Sequence, residues 1–351
     1  MIQKIKLICF RNHLDYHAEI SSNFILLSGE NGVGKTSVLE AISLFSPGKS
    51  FKNCKFDEII SKHQDYCREW GVHIDCEDTN FSTGYAAGQT RKIKQDGELL
   101  KSQSDILKEL RILWLLPQME NIFNSSSSIR RKFFDRICYN LFPEHAKTVL
   151  RYEYHLKSRM KILQTDSVLN HEWLCSIEII LAELSVKIQH IRSTTLEIIK
   201  EQLNTIGADF LQPTLSLINS SDCSDTAEIC RLFEKYRTID RRSGRSNFGV
   251  HKTDLVVRNH KGCDASYCST GEQKALLVSL FLAQATAIKK HSMLAPIMLM
   301  DEILAYFDHM KQRAILDALT QTASQIWITT TKNRDDLVNY IDNSECTWLS
   351  L

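Results

Sequence analysis

Residues 29–36 read Gly29-Glu30-Asn31-Gly32-Val33-Gly34-Lys35-Thr36, followed by Ser37. They meet every fixed position of the phosphate-loop pattern G-x-x-x-x-G-K-[ST]. Gly29, Gly32 and Gly34 let the backbone turn tightly, so that the amides of Glu30, Asn31, Val33 and their neighbours through Ser37 can face phosphate oxygens. Lys35 supplies a point charge for β- and γ-phosphates, and Thr36 a hydroxyl for Mg²⁺. The apolar run 24–27 before the loop has the character of a buried strand. Val38, Leu39, Ile42 and Phe45 follow at helical spacing. A glycine-rich turn that binds nothing would not require this order of strand, loop and helix.

The chain has 351 residues, 43% of them apolar and 24% charged, enough for a large core and about two domains. Lys plus Arg number 43 against 42 for Asp plus Glu, so any basic surface must be local. The eleven cysteines are scattered without a C-x-x-C, and the expectation is free thiols in a reducing cytosol rather than metal ligands or disulfides. The basic N-terminal stretch lacks the apolar run of a signal peptide, and no segment approaches the ~18 apolar residues of a membrane span.

Periodicity predicts strands at 5–10, 16–20, 24–27, 71–75 and 91–95, with Asp96-Gly97 as a hairpin turn. From 128 to 206 glycine is absent and Leu, Ile, Glu and Lys dominate, which predicts about three helices. The serine run 125–128 reads as a loop. Strands are expected at 215–218, 254–257, 297–300 and 325–329, and helices at 271–287 and 309–320. This alternation indicates a parallel, doubly wound core.

Pro296-Ile297-Met298-Leu299-Met300-Asp301-Glu302 is an apolar run ending in two carboxylates. Behind a phosphate loop, the first carboxylate at such a strand end orients Mg²⁺ and the second polarises the attacking water. Asp301 and Glu302 are the candidates for these roles. Ser269-Thr270-Gly271-Glu272-Gln273-Lys274 opens a helix, and Ser269 with Glu272 has capping-box spacing. Ser269, the Gly271 amide and the helix dipole equally suit a second anion site. Spacing leaves both open.

These residues together resemble the ABC-type ATPases. Ser269-x-Gly271-x-Gln273 resembles their signature, 296–302 their Walker B, and Ala305-Tyr306-Phe307-Asp308 their D-loop, while Gln118 in Leu116-Pro117-Gln118-Met119 is placed like the Q-loop glutamine. Within that superfamily the chain resembles the RecF family over nearly its whole length. The matching stretches are Phe10-Arg11-Asn12-His13, Ser46-Pro47-Gly48-Lys49-Ser50-Phe51-Lys52, Ile129-Arg130-Arg131-Lys132-Phe133-Phe134-Asp135-Arg136, Tyr154 to Arg159, and Gly249-Val250-His251-Lys252-Thr253-Asp254-Leu255. Glu272, Lys252 and Val250 depart from the family's usual Gln, Arg and Pro. The stretch 328–331 also lacks the switch histidine of many ABC ATPases.

The resemblance implies an α/β fold: an ABC-type ATPase head with a mixed sheet core built from both chain ends and an inserted helical lobe. The expected divisions are 1–127 and 208–351 for the ATPase lobe and 128–207 for the helical lobe. ATP and Mg²⁺ are the implied cofactors, the metal held by Thr36, Asp301 and Gln118. Ser269, Gly271 and Gln273 would complete the site of a second copy in an ATP-dependent homodimer, with Asp308 in the D-loop. The implied function is a cytoplasmic, weak DNA-dependent ATPase of replication and recombinational repair. It would bind duplex or gapped DNA, work with RecR, RecO and RecA-like proteins, and release on slow hydrolysis.

Arg11 is expected either at the nucleotide or as a surface arginine. The candidate DNA contacts are Lys49 with Lys52, Arg130 with Arg131, and Arg241 with Arg242. Each cluster also reads as a solvated face or an internal ion pair. Two competing readings are a transporter or chromosome-organising ATPase subunit and a small-molecule kinase. The helical insertion and missing switch histidine oppose a transporter, its shortness opposes long coiled-coil arms, and the signature-like 269–273 opposes a kinase.

Overall fold

The computed structural model describes residues 1–62, 67–165, 171–220, 223, 225–302, 306–330 and 346–351. The chain forms two compact units: Met1–Met119 with Phe281–Leu351, and Glu120–Leu280.

In the first unit, β1 (Ile2–Phe10) and β2 (His13–Glu19) form a hairpin. They are followed by β3 (Phe24–Ser28) and α1 (Lys35–Ser43). Next come β4 (Glu69–Cys76), β5 (Asn80–Ala86), β6 (Lys92–Gln95), β7 (Glu98–Leu99) and β8 (Ile112–Leu115). Six of these strands form an antiparallel sheet in the order β2-β1-β4-β5-β6-β7. Its inner face buries Ile5, Leu7, Val72, Ile74 and Phe81. Asp96 and Gly97 both take positive φ, as the tight turn between β6 and β7 requires.

The second unit contains the three expected helices, α2 (Ser127–Leu141), α3 (Glu144–Gln164) and α4 (His171–Leu203). Ser127 and Ser128 belong to α2 rather than to a loop. The unit continues through β9 (Thr214–Ile218), α5 (Thr226–Ser243) and β10 (Asp254–Arg258) to the start of α6 (Thr270–Ser292). The expected lobe boundary at 207 therefore falls inside a compact unit. The reason is α5, whose Ile229 and Phe233 join Tyr152, Ile177, Leu181 and Ile188 in one core. Buried charge reinforces it: Arg159 donates to Glu178 (2.8 Å), Asp240 (2.6 Å) and the Phe233 carbonyl (2.7 Å), tying α3, α4 and α5 together.

The chain then returns to the first unit with β11 (Ile297–Asp301), α7 (His309–Thr322), β12 (Gln325–Thr330) and β13 (Cys346–Ser350). These complete a parallel sheet in the order β13-β3-β12-β11-β8. The mixed core expected from both chain ends is thus two sheets, one antiparallel and one parallel. Buried Gln325 joins them, accepting the Ile2 amide (3.2 Å) and donating to the Ile2 carbonyl (2.8 Å). The central strands are buried on both faces, which is why they are continuous apolar runs.

Candidate nucleotide site

Because β3, β11 and β12 are parallel neighbours, their C-terminal ends lie on one edge, where α/β sheets bind ligands. That edge carries the phosphate loop after β3, Asp301 and Glu302 at the end of β11, and Thr329 near the end of β12. Gly29, Gly32 and Gly34 have φ of 148°, 90° and 113°, values at which a side chain would strain the turn. No neighbouring atom would meet a Cβ on Gly32, so the backbone there can be approached closely. Lys35 opens α1, and its Nζ donates to the carbonyls of Gly29 (2.7 Å) and Glu30 (2.9 Å). The ammonium is thereby held over the loop.

Thr36 Oγ1 donates to the Asp301 carboxylate at 2.9 and 3.1 Å. Two residues 265 positions apart thus present hard oxygen ligands to one point, the donor set that Mg²⁺ prefers. Thr329, which sequence reasoning left without a role, donates from Oγ1 to Asp301 (2.8 Å) and accepts the Glu302 amide (2.9 Å). Glu302 has φ of 51°, the left-handed region that a non-glycine residue enters at a cost of about 1–2 kcal/mol. The Thr329 hydrogen bond holds that backbone in place.

The turn between β1 and β2 buttresses the loop from behind. Asn12 Nδ2 donates to the Gly32 carbonyl (2.6 Å), and His13 Nε2 lies 3.1 Å from the Gly34 carbonyl. Burial lowers the His13 pKa, although the Gly34 contact opposes the shift, so a neutral ring packs there. A Cβ on Gly34 would fall 2.5 Å from His13 Nε2. Neither residue stood out beyond the quoted motif; a polar pair directly after a strand end was the only signal.

Arg11 is half-buried against α1. Its guanidinium pairs with buried Glu40 of α1 at 2.9 and 2.8 Å and also donates to the Glu58 carbonyl. Lys52 approaches the same carboxylate at 3.7 Å, and both it and Lys49 are exposed. Gln118 is exposed at the start of a 3-10 turn, Pro117–Ile122.

In the second unit, Ser269 and Glu272 form the reciprocal box. The Ser269 amide and hydroxyl donate to Glu272 Oε2 (3.1 and 3.0 Å), and the Glu272 amide donates to Ser269 Oγ (3.3 Å). These bonds, the backbone one foremost, lower the Glu272 pKa. They also account for Glu in place of the family's Gln: a carboxylate caps the helix N-terminus better. Gln273 turns inward to donate to the Ala265 carbonyl (2.8 Å), which makes its side chain a brace for the loop. Thr270 and Gly271 are exposed. Asp308 caps α7 by accepting from the Lys311 amide (2.9 Å); Ala305 lies outside the described residues.

Arg130 and Arg131 also turn out to be internal. Arg130 grips Asp254 with two bonds (2.8 and 2.6 Å) and reaches the Ser125 carbonyl, while Arg131 donates to the Thr253 carbonyl (3.2 Å). They hold α2 to β10 and to the turn that precedes it. Arg241 and Arg242 are exposed in the last turn of α5. Among the described residues Asp135, Cys138 and His145 also converge, but Arg192 already grips Asp135 with two bonds of 2.8 Å, and a cation occupies the place a metal would take.

Comparison with known proteins agrees with this geometry. Residues 1–342 match the family model described as the RecF/RecN/SMC N terminal domain. The chain is 35% identical over 353 residues to the DNA replication and repair protein RecF of Rickettsia akari (strain Hartford), and 34% identical over 354 residues to that of Rickettsia typhi (strain ATCC VR-144 / Wilmington). The match covers 98% of both partners in each case. The structure of the recombination mediator protein RecF-ATP in the RecFOR pathway has a TM-score of 0.86 at 23% identity, covering 95% of this chain and 92% of that one. An Smc head domain derived from Pyrococcus furiosus has a TM-score of 0.52 at 17% identity, covering 97% and 92%. The chain has the ABC ATPase head fold, with a helical region inserted in its sequence, and belongs to the RecF family.

Proposed function

We propose that this chain is an ATP-dependent DNA-binding protein of replication and recombinational repair. ATP drives its dimerisation on duplex or gapped DNA, and slow hydrolysis releases it. The observation that carries the reading is the convergence of Thr36, Asp301 and Thr329 beside a phosphate loop whose lysine is held over it. Lys35 and the loop amides of 29–37 bind the phosphates of ATP. Thr36 and Asp301, with Gln118, hold Mg²⁺, which when bound neutralises phosphate charge. Glu302, aimed by its strained backbone, accepts a proton from the attacking water.

Ser269 and the exposed Thr270–Gly271 backbone serve the nucleotide of a second copy, with the D-loop around Asp308 lying at the same contact. A bridge that exists only while the γ-phosphate is present favours the closed dimer by its differential contacts. In the cytosol such a clamp would mark gapped DNA and help load a RecA-like recombinase with RecR- and RecO-like partners. Support comes from 98% coverage by repair proteins named RecF.

Sedimentation and DNA retention, each measured with Mg-ATP, with ADP and with Lys35→Arg, test the proposal. Dimers and retained DNA are expected only for the wild type in ATP. Monomers in every condition, with no DNA affinity, would refute it.

A further inference from the structure

Duplex DNA is held chiefly by cations set against its phosphates, so its docking surface must offer lysines and arginines that are not already spent. Of the sequence clusters, Arg130 and Arg131 fail this test, since they serve internal contacts. Helix α3 passes it. Its inner face carries Tyr152, Arg159, Ile162 and Leu163, all buried. On the opposite side Lys147, Arg151, Tyr154 and Lys161 follow one another at offsets of four, three and seven, which is one helical stripe, with Lys157 on its flank. All five are exposed, Tyr154 at 68%. Among the described residues Arg151, Lys157 and Lys161 make no ion pair. After Glu144 in the first turn, Glu153 is the helix's single acid. From Lys147 to Lys161 the stripe is about 21 Å long, at about 1.5 Å per residue. Along the duplex axis that equals the rise of about six nucleotides of one strand, at about 3.4 Å each.

The geometry points to the outer face of α3 as a docking surface for the phosphate backbone of duplex DNA. Resting on the DNA-binding function proposed above, this assignment adds the place. The side chains suit the ligand: Arg151 can grip a phosphate with two parallel bonds, and the lysines track along the backbone as point charges. Tyr154 sits mid-stripe, where its hydroxyl can donate to a phosphate and its ring can cover a sugar. A lipid surface is the poorer fit, because the stripe offers only Leu150 and Tyr154 as exposed apolar anchors. No base edge is read by such a surface, so binding is independent of sequence and steeply dependent on salt.

The test is a fluorescence titration of a labelled duplex with the full chain in Mg-ATP between 50 and 200 mM salt. The Arg151→Gln/Lys157→Gln/Lys161→Gln variant should bind at least about tenfold more weakly. Its slope of log K against log salt should fall by about 3 units, one for each lost phosphate contact. Tyr154→Ala should weaken binding while leaving the slope unchanged. A control variant, Lys92→Gln/Lys94→Gln/Lys101→Gln, removes the same net charge from the other compact unit. An equal slope loss in that control would show an effect of net charge alone and overturn the assignment. So would an unchanged slope in the α3 variant while the wild type binds DNA, which would leave the DNA-binding function itself standing. A wild type that binds no duplex refutes both. If the α3 substitutions abolish binding of polyglutamate but spare the duplex, the face belongs to an acidic protein and the DNA assignment fails.

Discussion

Thr329 is the hinge between the two carboxylates, its hydroxyl donating to Asp301 and accepting from the Glu302 amide. Thr329→Val keeps the shape and removes both bonds. One bond is worth about 1 kcal/mol, so ATP turnover should fall by about tenfold or more. The affinity of the monomer for nucleotide should barely change; phosphate release and nucleotide titration measure the two quantities. Gly34→Ala should do the opposite and abolish nucleotide binding in titration. Its Cβ would strike His13 at 2.5 Å, and its φ of 113° is hostile to alanine. Lys35, Thr36 and Asp301 were legible because each belongs to a short pattern whose chemistry is local. Thr329, Asn12, His13 and Glu40 were not. Their significance lies in contacts across 20 to 29 positions, or from one sheet strand to the next, that no spacing rule encodes.

At the scale of elements, the uninterrupted apolar strands β3, β11 and β12 and the long helices α3, α4 and α6 stood out in the pattern. β5 did not, because Ser82, Thr83 and Gly84 interrupt its alternation; nor did the short β8 and β13. Helix α5 was passed over although its limits are marked: Asp225 accepts the Glu228 amide at one end, and Gly244 takes a left-handed turn at the other. Its apolar face is thin, and much of its hold on the lobe is the Arg159 cluster. Arg159→Leu would leave Asp240 buried without its cation and Glu178 held by Arg237 alone. It should cost about 3–5 kcal/mol in urea unfolding. The turn before β10 adds a pH dependence. Burial, foremost, pushes the His251 pKa down to about 4, with Lys252 and Arg131 nearby adding to the shift and the Ser246 carbonyl and Asp240 opposing it. The ring then stays neutral in the folded chain down to about pH 4, while an unfolded histidine takes up a proton near pH 6.5. Between those values the unfolded state binds more protons, so stability falls as pH falls. From pH 7 to pH 5 the loss should be about 2 kcal/mol, and His251→Asn should flatten that part of the denaturation profile.

At the scale of the whole molecule, the site described here is half of the one proposed to act. Glu302→Gln should bind ATP, dimerise and stay closed, visible as a dimer that persists in sedimentation long after the wild type has dissociated. Ser269→Arg should leave the ATP affinity of the monomer intact and prevent the dimer; loss of monomer binding would mean that its capping bonds matter more than its reach to a second copy. The strand order β13-β3-β12-β11-β8 also sets a schedule. β3, which delivers the phosphate loop, is paired on both sides by strands far along the chain, β12 and β13: Phe24 faces Ile326 on one flank and Cys346 on the other. At about 5–20 residues per second, the nascent loop waits on the order of tens of seconds on the ribosome for its neighbours. A transcript cut short at any point before β12 therefore yields a polypeptide that cannot shape the loop. Competence for nucleotide becomes a sign that synthesis has passed β12.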